Sequence, residues 1–444
     1  MTSAGLGVGA AQPWDAQDAE RWLLSLELFG MRFGLDRMRR LMTALGSPQR
    51  AFRAIHVVGT NGKSSTTRMI AALLHHHGVH TGAYLSPHLV SFVERIRVDG
   101  RDISSRQFAA AVGRAREAAR IVDRTLDEGD QVTQFEALTA AAYAQLAAAG
   151  VQAAVVEAGL GGRWDATNVI DAEIVVLTNV GLEHTRWLGP TIVDIAREKL
   201  AVVTRSPAPT TLVLGADLHP DAEAEAEIVA ERQGATIVRA PPAPSAEYEL
   251  LARGAFQRRN FAVACAAAEA YLGRLEAAST RAAAASTLVP GRFEIRTGNG
   301  DDVEVVFDGA HNASGVAALA ASMPEFLAGR PLVAVLSVLD DKDAAAMLAT
   351  LLPLCAAVVF TGNANPRALS PATLASLAGQ VGAPAVTCVE PDPRRAVALA
   401  TELARGLAQA PQPADRNAVV LATGSIYLIA DLVRPPGSGH GSML

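Results

Sequence analysis

Residues 55–66, IHVVGTNGKSST, decide how this chain is read. An apolar run of strand character, RAIHVV, leads into a glycine loop, and the helical stretch SSTTRMIAALLHHH follows it up to Gly78. The common phosphate-binding loop is G-x-x-x-x-G-K-[ST]. Gly62, Lys63 and Ser64 satisfy its end, but Val57 stands five before Gly62, and the second glycine, Gly59, comes two residues late. The loop is therefore shorter than the common form. Its order still suits an anion site: the N–H groups along Gly59, Thr60, Asn61, Gly62, Lys63, Ser64 and Ser65 and the helix N-terminus can converge on a phosphate. Lys63 can reach β- and γ-phosphates, and the Ser64 hydroxyl can ligate Mg²⁺. An ordinary glycine turn is the competing reading, and the Gly-Lys-Ser order between strand and helix disfavours it.

The alternation continues outward from this loop. HTGAYL, AAVVEAG, EIVVLTNV and TLVLGA are strand-length apolar runs, separated by helical stretches and by SPHLVSFVERIRVDG, which reads as an irregular loop. Fully apolar strands of this kind belong in a parallel sheet covered on both faces, and their alternation with helices predicts a doubly wound α/β sheet. The rhythm breaks at Pro290-Gly291 and restarts with VEVVFDGAHN, PLVAVLSVL, AAVVFTG, PAVTCVE and AVVLATG. The expected organisation is a large ATPase-type α/β domain, residues 1–287, followed by a smaller Rossmann-like α/β domain, residues 288–444.

Composition removes several classes of function. Half of the 444 residues are apolar and the net charge is −6, with no basic stripe, which argues against nucleic acid as a partner. Leu138–Val156 is uncharged and long enough to test as a membrane span, but Gln145, Gly150 and Gln152 break it into a helix, a glycine stop and a buried strand. The start of the chain has neither a basic nor an apolar signal region, and three scattered cysteines suit a reducing cytoplasm. Of the 39 basic residues only three are lysine, Lys63, Lys199 and Lys342, so 36 are arginine. Only an ε-amine can deprotonate and act as a nucleophile, so each lysine is a candidate for chemistry that arginine cannot do.

Post-strand loops carry the other candidates, because ligands collect beyond the carboxyl ends of strands in open α/β sheets. Glu157 ends a buried strand in VVEAGLGGRWDATN, where a carboxylate suits Mg²⁺. His184 occupies the equivalent loop in LTNVGLEHTRWLG, and Lys199 lies on the next helix as either a solvated lysine or a modified or phosphate-facing amine. Asp308, His311 and Asn312, then Asp340, Asp341 and Lys342, then Ser425 follow strands of the second domain, which predicts a cleft shared with the first. His75, His76 and His77 are consecutive on a helix and so point apart; they suit its C-terminal dipole better than a metal.

Taken together, the short GTNGKS loop with MRFGLDRM, SPHLVSFVERIRVDG, TQFEALT, VVEAGLGGRWDATN, GLEHTRWLG, IAREK, PGRFE and DGAHN resembles the Mur ligase superfamily. Within it, the segments resemble the folylpolyglutamate synthase/dihydrofolate synthase branch, from about Leu26 to Val433. The resemblance implies an ATP-dependent ligase that activates a folate or dihydropteroate carboxylate as an acyl phosphate and then joins L-glutamate, releasing ADP and phosphate. It implies ATP and two Mg²⁺ ions, the first on Ser64 and Glu157, the second on Glu157, His184 and a carbamylated Lys199 with Ser86 nearby. It implies nucleotide contacts from Asn260, Arg292 and Asp308, pterin stacking on Phe135, and His311 and Ser425 near the incoming glutamate. It also implies a monomer. Two segments depart from the pattern: Phe256 stands where histidine is frequent, and LELFGMRFG replaces an EPFG-like segment. A ligase of cell-wall precursors, a kinase or NTPase switch, and a nucleotide-binding protein without catalysis are the competing readings. SPHLVSFVERI and TQFE disfavour the first, the short loop and the second domain the second, and intact Lys63, Glu157, His184 and Lys199 the third.

Overall fold

The computed structural model describes residues 14–27, 34–204, 209–244, 248–297, 303–408 and 418–435. Most of the LELFGMRFG segment lies outside them. Among the described residues, eight strands form the first sheet: β1 (Arg53–Val58), β2 (Thr81–Tyr84), β3 (Ile96–Val98), β4 (Arg101–Asp102), β5 (Ala153–Glu157), β6 (Ala172–Leu177), β7 (Thr211–Leu214) and β8 (Thr236–Arg239). Their order is β4-β3-β2-β5-β1-β6-β7-β8, and the pairs from β2 to β8 are parallel. Side chains alternate across a strand, so the sheet feeds two cores. Ile55, Val57, Val155 and Val176 pack on one face with Phe261 and Leu73. Val58, Val156, Val175 and Leu177 pack on the other with Tyr143 and Leu138. The uncharged stretch 138–156 resolves into the helix Gln134–Ala149, a left-handed Gly150 and β5. Among the described residues no helix is long and apolar enough to cross a membrane.

Among the described residues, six strands form the second sheet: β9 (Glu294–Thr297), β10 (Glu304–Phe307), β11 (Leu332–Leu336), β12 (Ala357–Phe360), β13 (Val386–Val389) and β14 (Val419–Thr423). Their order is β13-β12-β11-β14-β10-β9. Only β9 runs antiparallel to its neighbour. The last helix before this sheet is Ala277–Ser286.

SPHLVSFVERIRVDG is more regular than the sequence suggests. It holds a short 3₁₀ helix, Phe92–Arg95, then β3, which pairs antiparallel with β2 and β4 at the sheet edge. Asp99 and Gly100, with φ of 49° and 73°, make the turn between β3 and β4. An Asp-Gly pair with both φ positive matches the right-handed strand twist, and this is the signal that the irregular-loop reading passed over. β8 and β9 also lie in stretches that the strand reading did not include.

The central strands set the site. β5, β1 and β6 are neighbours, so the loops after Glu157, Val58 and Leu177 emerge side by side. In the second sheet β11, β14 and β10 do the same with the loops that hold Lys342, Ser425 and His311.

Candidate active site

Two glycines give the loop after β1 its path. Gly59 has φ of 149°, and a Cβ there would lie 1.9 Å from Thr178 Oγ1. Gly62 has φ of 79°, and its Cβ would lie 2.5 Å from Asn260 Oδ1. Both positions need a residue without a side chain. The loop then enters the helix Lys63–His76, whose first N–H groups have no partner within the helix. Lys63 Nζ curls back to donate to the Gly59 and Thr60 carbonyls at 3.0 and 3.1 Å. Ser64 Oγ donates to Glu157 Oε1 at 2.8 Å, and the Ser86 N–H donates to Glu157 Oε2 at 3.0 Å. Ser86 thus reaches Glu157 through its main chain.

The helix Ile192–Leu200, opened by a capping box of Thr191 and Asp194, brings Lys199 beneath the same loop. Gly162 allows the approach, since a Cβ there would sit 2.6 Å from the Lys199 carbonyl. Lys199 Nζ donates to Gly59 O at 2.9 Å and is only 4% exposed. Burial, with the Lys63 charge adding to it, lowers its pKa to about 7, so a large share of the amine is neutral near physiological pH. Burial also raises the Glu157 pKa, against the pull of Lys63, the Ser86 N–H, Ser64 and Arg292. His184, in the left-handed conformation at φ 51° and with its side chain 37% exposed at the cleft, has its pKa lowered to about 4, chiefly by desolvation from the surrounding walls.

The second sheet meets this arrangement directly. His311 Nε2 lies 3.2 Å and Lys342 Nζ 3.4 Å from Glu183 Oε1, while His184 Nε2 is 3.8 Å from the same oxygen. Burial would raise the Glu183 pKa, but the His311 hydrogen bond and the nearby Lys342 ammonium outweigh it and hold the carboxyl well below its usual range. Asp308 accepts from the Phe293 and Ala310 N–H groups, both at 2.8 Å. Among the described residues, Arg292 Nη1 is buried without a hydrogen-bond partner. Ser425 caps the helix Ile426–Val433 by accepting from the Tyr427 N–H.

On the opposite flank, Phe135 opens the helix Gln134–Ala149, which a capping box of Thr133 and Glu136 starts. Its ring stacks on Tyr84 with centroids 6.3 Å apart and closes against Gly159, where a Cβ would lie 2.6 Å away. Asp165, buried beside it, accepts from the Leu160 and Thr167 N–H groups at 2.7 and 3.0 Å. Phe256 packs against Phe293, 6.3 Å between centroids.

Every nucleotide, metal and substrate candidate read from the sequence lines one cavity of about 1360 Å³ between the two sheets. The chain's three lysines are all in its wall. Glu183, Asp165, Arg367 and Tyr427 line it too. The sequence reading did not select these four, although Glu183 directly precedes His184. His75, His76 and His77 do point apart, toward Asp99, Ser286 and the Leu73 carbonyl.

The donors at the foot of the loop fit a Mg²⁺ ion. A hydroxyl and a carboxylate oxygen already converge at 2.8 Å, and Mg²⁺ takes few protein oxygens beside water and phosphate. The second set, Glu157, His184 and Lys199, lines the same wall, but an unmodified amine is not an oxygen donor. Among the described residues, no three His, Cys, Asp or Glu side chains group for a metal.

Two α/β sheets clasping a short phosphate loop define a Mur ligase: residues 57–227 match the Mur ligase middle domain and residues 291–426 the Mur ligase glutamate ligase domain. The relatives narrow the class. The dihydrofolate synthase/folylpolyglutamate synthase of Mycobacterium tuberculosis is 37% identical over 431 residues, 88% of each chain. The solved Mycobacterium tuberculosis folylpolyglutamate synthase complexed with ADP and AMPPCP matches with a TM-score of 0.86 and 35% identity, over 94% of this chain and 97% of that one. E. coli FolC in complex with DHPP and ADP matches with a TM-score of 0.79 and 27% identity, over 94% and 96%. The chain belongs to the folylpolyglutamate synthase/dihydrofolate synthase family.

Proposed function

We propose that this chain is an ADP-forming ligase that adds L-glutamate to the carboxylate of a folate or dihydropteroate through an acyl phosphate. The observation that carries this is the single cavity in which the Lys63–Ser64–Glu157 cluster faces His311, Lys342 and Ser425 across the two sheets, with Phe135 on its flank. Residues 1–287 act as the ATP-binding unit and residues 288–444 as the glutamate-ligase unit.

Gly59 to Ser65 hold the triphosphate by backbone N–H groups. Lys63, already poised at the loop, swings its ammonium onto the transferring phosphoryl group, where positioning and electrostatics supply most of the catalysis. Arg292, whose Nη1 has no hydrogen-bond partner among the described residues, adds a second cation, and Asn260 and Asp308 border the nucleotide. Phe135 offers a flat apolar face to the pterin, and His311 and Ser425 border the amino acid. Ser64 and Glu157 would hold one Mg²⁺; a second would use Glu157, His184 and Lys199 as its carbamate, near Ser86. These ions supply charge neutralisation at the phosphates. A pKa near 7 supports the carbamate, because a neutral amine is the form that attacks CO₂. The acyl phosphate hydrolyses when wet, so the sheets close over it about Pro290 and Gly291. The family resemblance implies a monomer, and three free cysteines support a cytoplasmic enzyme.

The test is ADP release by purified protein with Mg²⁺-ATP and L-glutamate, with dihydropteroate and tetrahydrofolate supplied separately and Lys63→Ala as control. Either acceptor stimulates release and the control loses about 10² to 10³ in rate. Release with dihydropteroate alone identifies a dihydrofolate synthase, with tetrahydrofolate alone a polyglutamate synthase, and with both a bifunctional enzyme. Folded protein with no acceptor-dependent ADP overturns the assignment.

A further inference from the structure

Glu183 is the carboxylate through which the first sheet holds the reactive loops of the second. It stands on the loop after β6, and its side chain is 7% exposed. His311 approaches it from the loop after β10 at 3.2 Å, and Lys342 from the loop after β11 at 3.4 Å. Neither partner belongs to Glu183's own sheet. Lys342 is almost as buried, at 9%, and its other neighbour is Asp341 at 3.4 Å. His311 is tethered on its far side, Nδ1 to the Gly309 carbonyl at 2.9 Å. One carboxylate oxygen of the first sheet therefore meets two separate loops of the second.

Resting on the ligase reading above, we propose that Glu183 is a positioning residue. It anchors His311 and Lys342 over the nucleotide loop, so that both stand at the acyl phosphate when the cleft is closed. The chemistry requires this kind of help. A flexible lysine facing an anionic intermediate loses rate unless it is held in the reactive geometry, and a buried pair across a moving interface holds it only in the closed arrangement. Removing the charge of Glu183 leaves Lys342 with the partly exposed Asp341 alone, which draws it away from His311.

The test compares wild type, Glu183→Gln, Glu183→Asp, Lys342→Gln and the Glu183→Gln/Lys342→Gln double variant in acceptor-dependent ADP release. Wild-type activity establishes the ligase reading first, and its absence is the failure of that reading, not of this one. Glu183→Gln lowers kcat about a hundredfold with the KM for ATP unchanged, as expected for a lost electrostatic contact at a reacting centre. Glu183→Asp recovers about tenfold of that loss. The double variant is no slower than Glu183→Gln, because losing Glu183 already frees both His311 and Lys342 and the second substitution removes nothing that is still held. Single effects that multiply in the double variant, or a Glu183→Gln kcat within about twofold of wild type, overturn the proposal. Should Glu183→Gln fail to fold, Glu183→Asp decides alone. A kcat lowered severalfold at unchanged melting temperature and ATP KM supports anchoring, and a kcat within about twofold overturns it.

Discussion

Asn312 Nδ2 donates to Asn61 Oδ1 at 3.0 Å, and Asn61 Nδ2 returns a bond to Asn312 Oδ1 at 3.3 Å. A further bond runs from Asn61 Nδ2 to Ser314 Oγ at 2.9 Å. The middle of the nucleotide loop is thus fastened to the first turn of a second-sheet helix, Ala313–Leu327, 251 residues away in sequence. Asn61→Ala removes all three bonds but leaves Asn312 capping its helix through the Gly315 N–H. The expected result is a KM for ATP raised about tenfold, equivalent to about 1.4 kcal/mol. Small-angle scattering with nucleotide should show a larger radius of gyration than wild type. Unchanged scattering and KM would mean that this contact does not hold the cleft.

Gly62→Ala faces two separate obstacles, a φ of 79° and a Cβ 2.5 Å from Asn260 Oδ1. Left-handed backbone at a residue with a side chain costs about 1 kcal/mol, and the steric conflict adds to it. The variant should melt lower and bind nucleotide more weakly. Adding Asn260→Ala should restore part of the stability by removing the conflict while the backbone strain remains. A Gly62→Ala protein as stable as wild type would contradict the loop geometry.

Lys199 gives a pH dependence. Its pKa is lowered to about 7, so the neutral, CO₂-reactive amine gains as pH rises through that value. Carbamylation and activity should rise together across pH 6 to 8 and fall when bicarbonate is removed at the acid end. A ¹³C-bicarbonate NMR signal for the carbamate should appear in wild type and vanish in Lys199→Arg, which keeps the charge but cannot form the carbamate. Full activity of Lys199→Arg would refute the modified-lysine role.

In the proposed function Phe135 serves the acceptor side only. Phe135→Ala removes the ring that stacks on Tyr84 and covers Gly159. Aromatic stacking on a flat ligand contributes about 1 kcal/mol or more, so the KM for the folate acceptor should rise severalfold to tenfold at constant KM for ATP. Equal changes in both would point to a collapse of the helix Gln134–Ala149 instead, which far-ultraviolet circular dichroism would reveal.

Much of the site was legible because its signals are local. Gly62, Lys63 and Ser64 sit in a strand–loop–helix order that few other structures need. Glu157 and His184 follow apolar strands, where parallel sheets gather ligands. The scarcity of lysine singled out Lys63, Lys199 and Lys342, and all three line the cavity. Glu183 was not legible in the same way. It reads as an ordinary acidic residue beside a histidine, and its partner Lys342 is 159 residues further on. The β3–β4 hairpin was missed for a different reason: its strands are only three and two residues long, so the Asp99-Gly100 turn was the stronger sign.

The sequence alone determined the alternation of strands and helices, the short glycine loop between strand and helix, and the residue types available at each strand end, since these follow from local periodicity, backbone freedom and side-chain chemistry. Only the tertiary structure decided which of them meet. The packing of two sheets edge to cleft brings His311 and Lys342 onto Glu183 and Asn312 onto Asn61. It also buries Lys199 deeply enough to release its proton near pH 7. Burial and cross-sheet distance depend on the whole chain's packing, and no short stretch of residues carries that information.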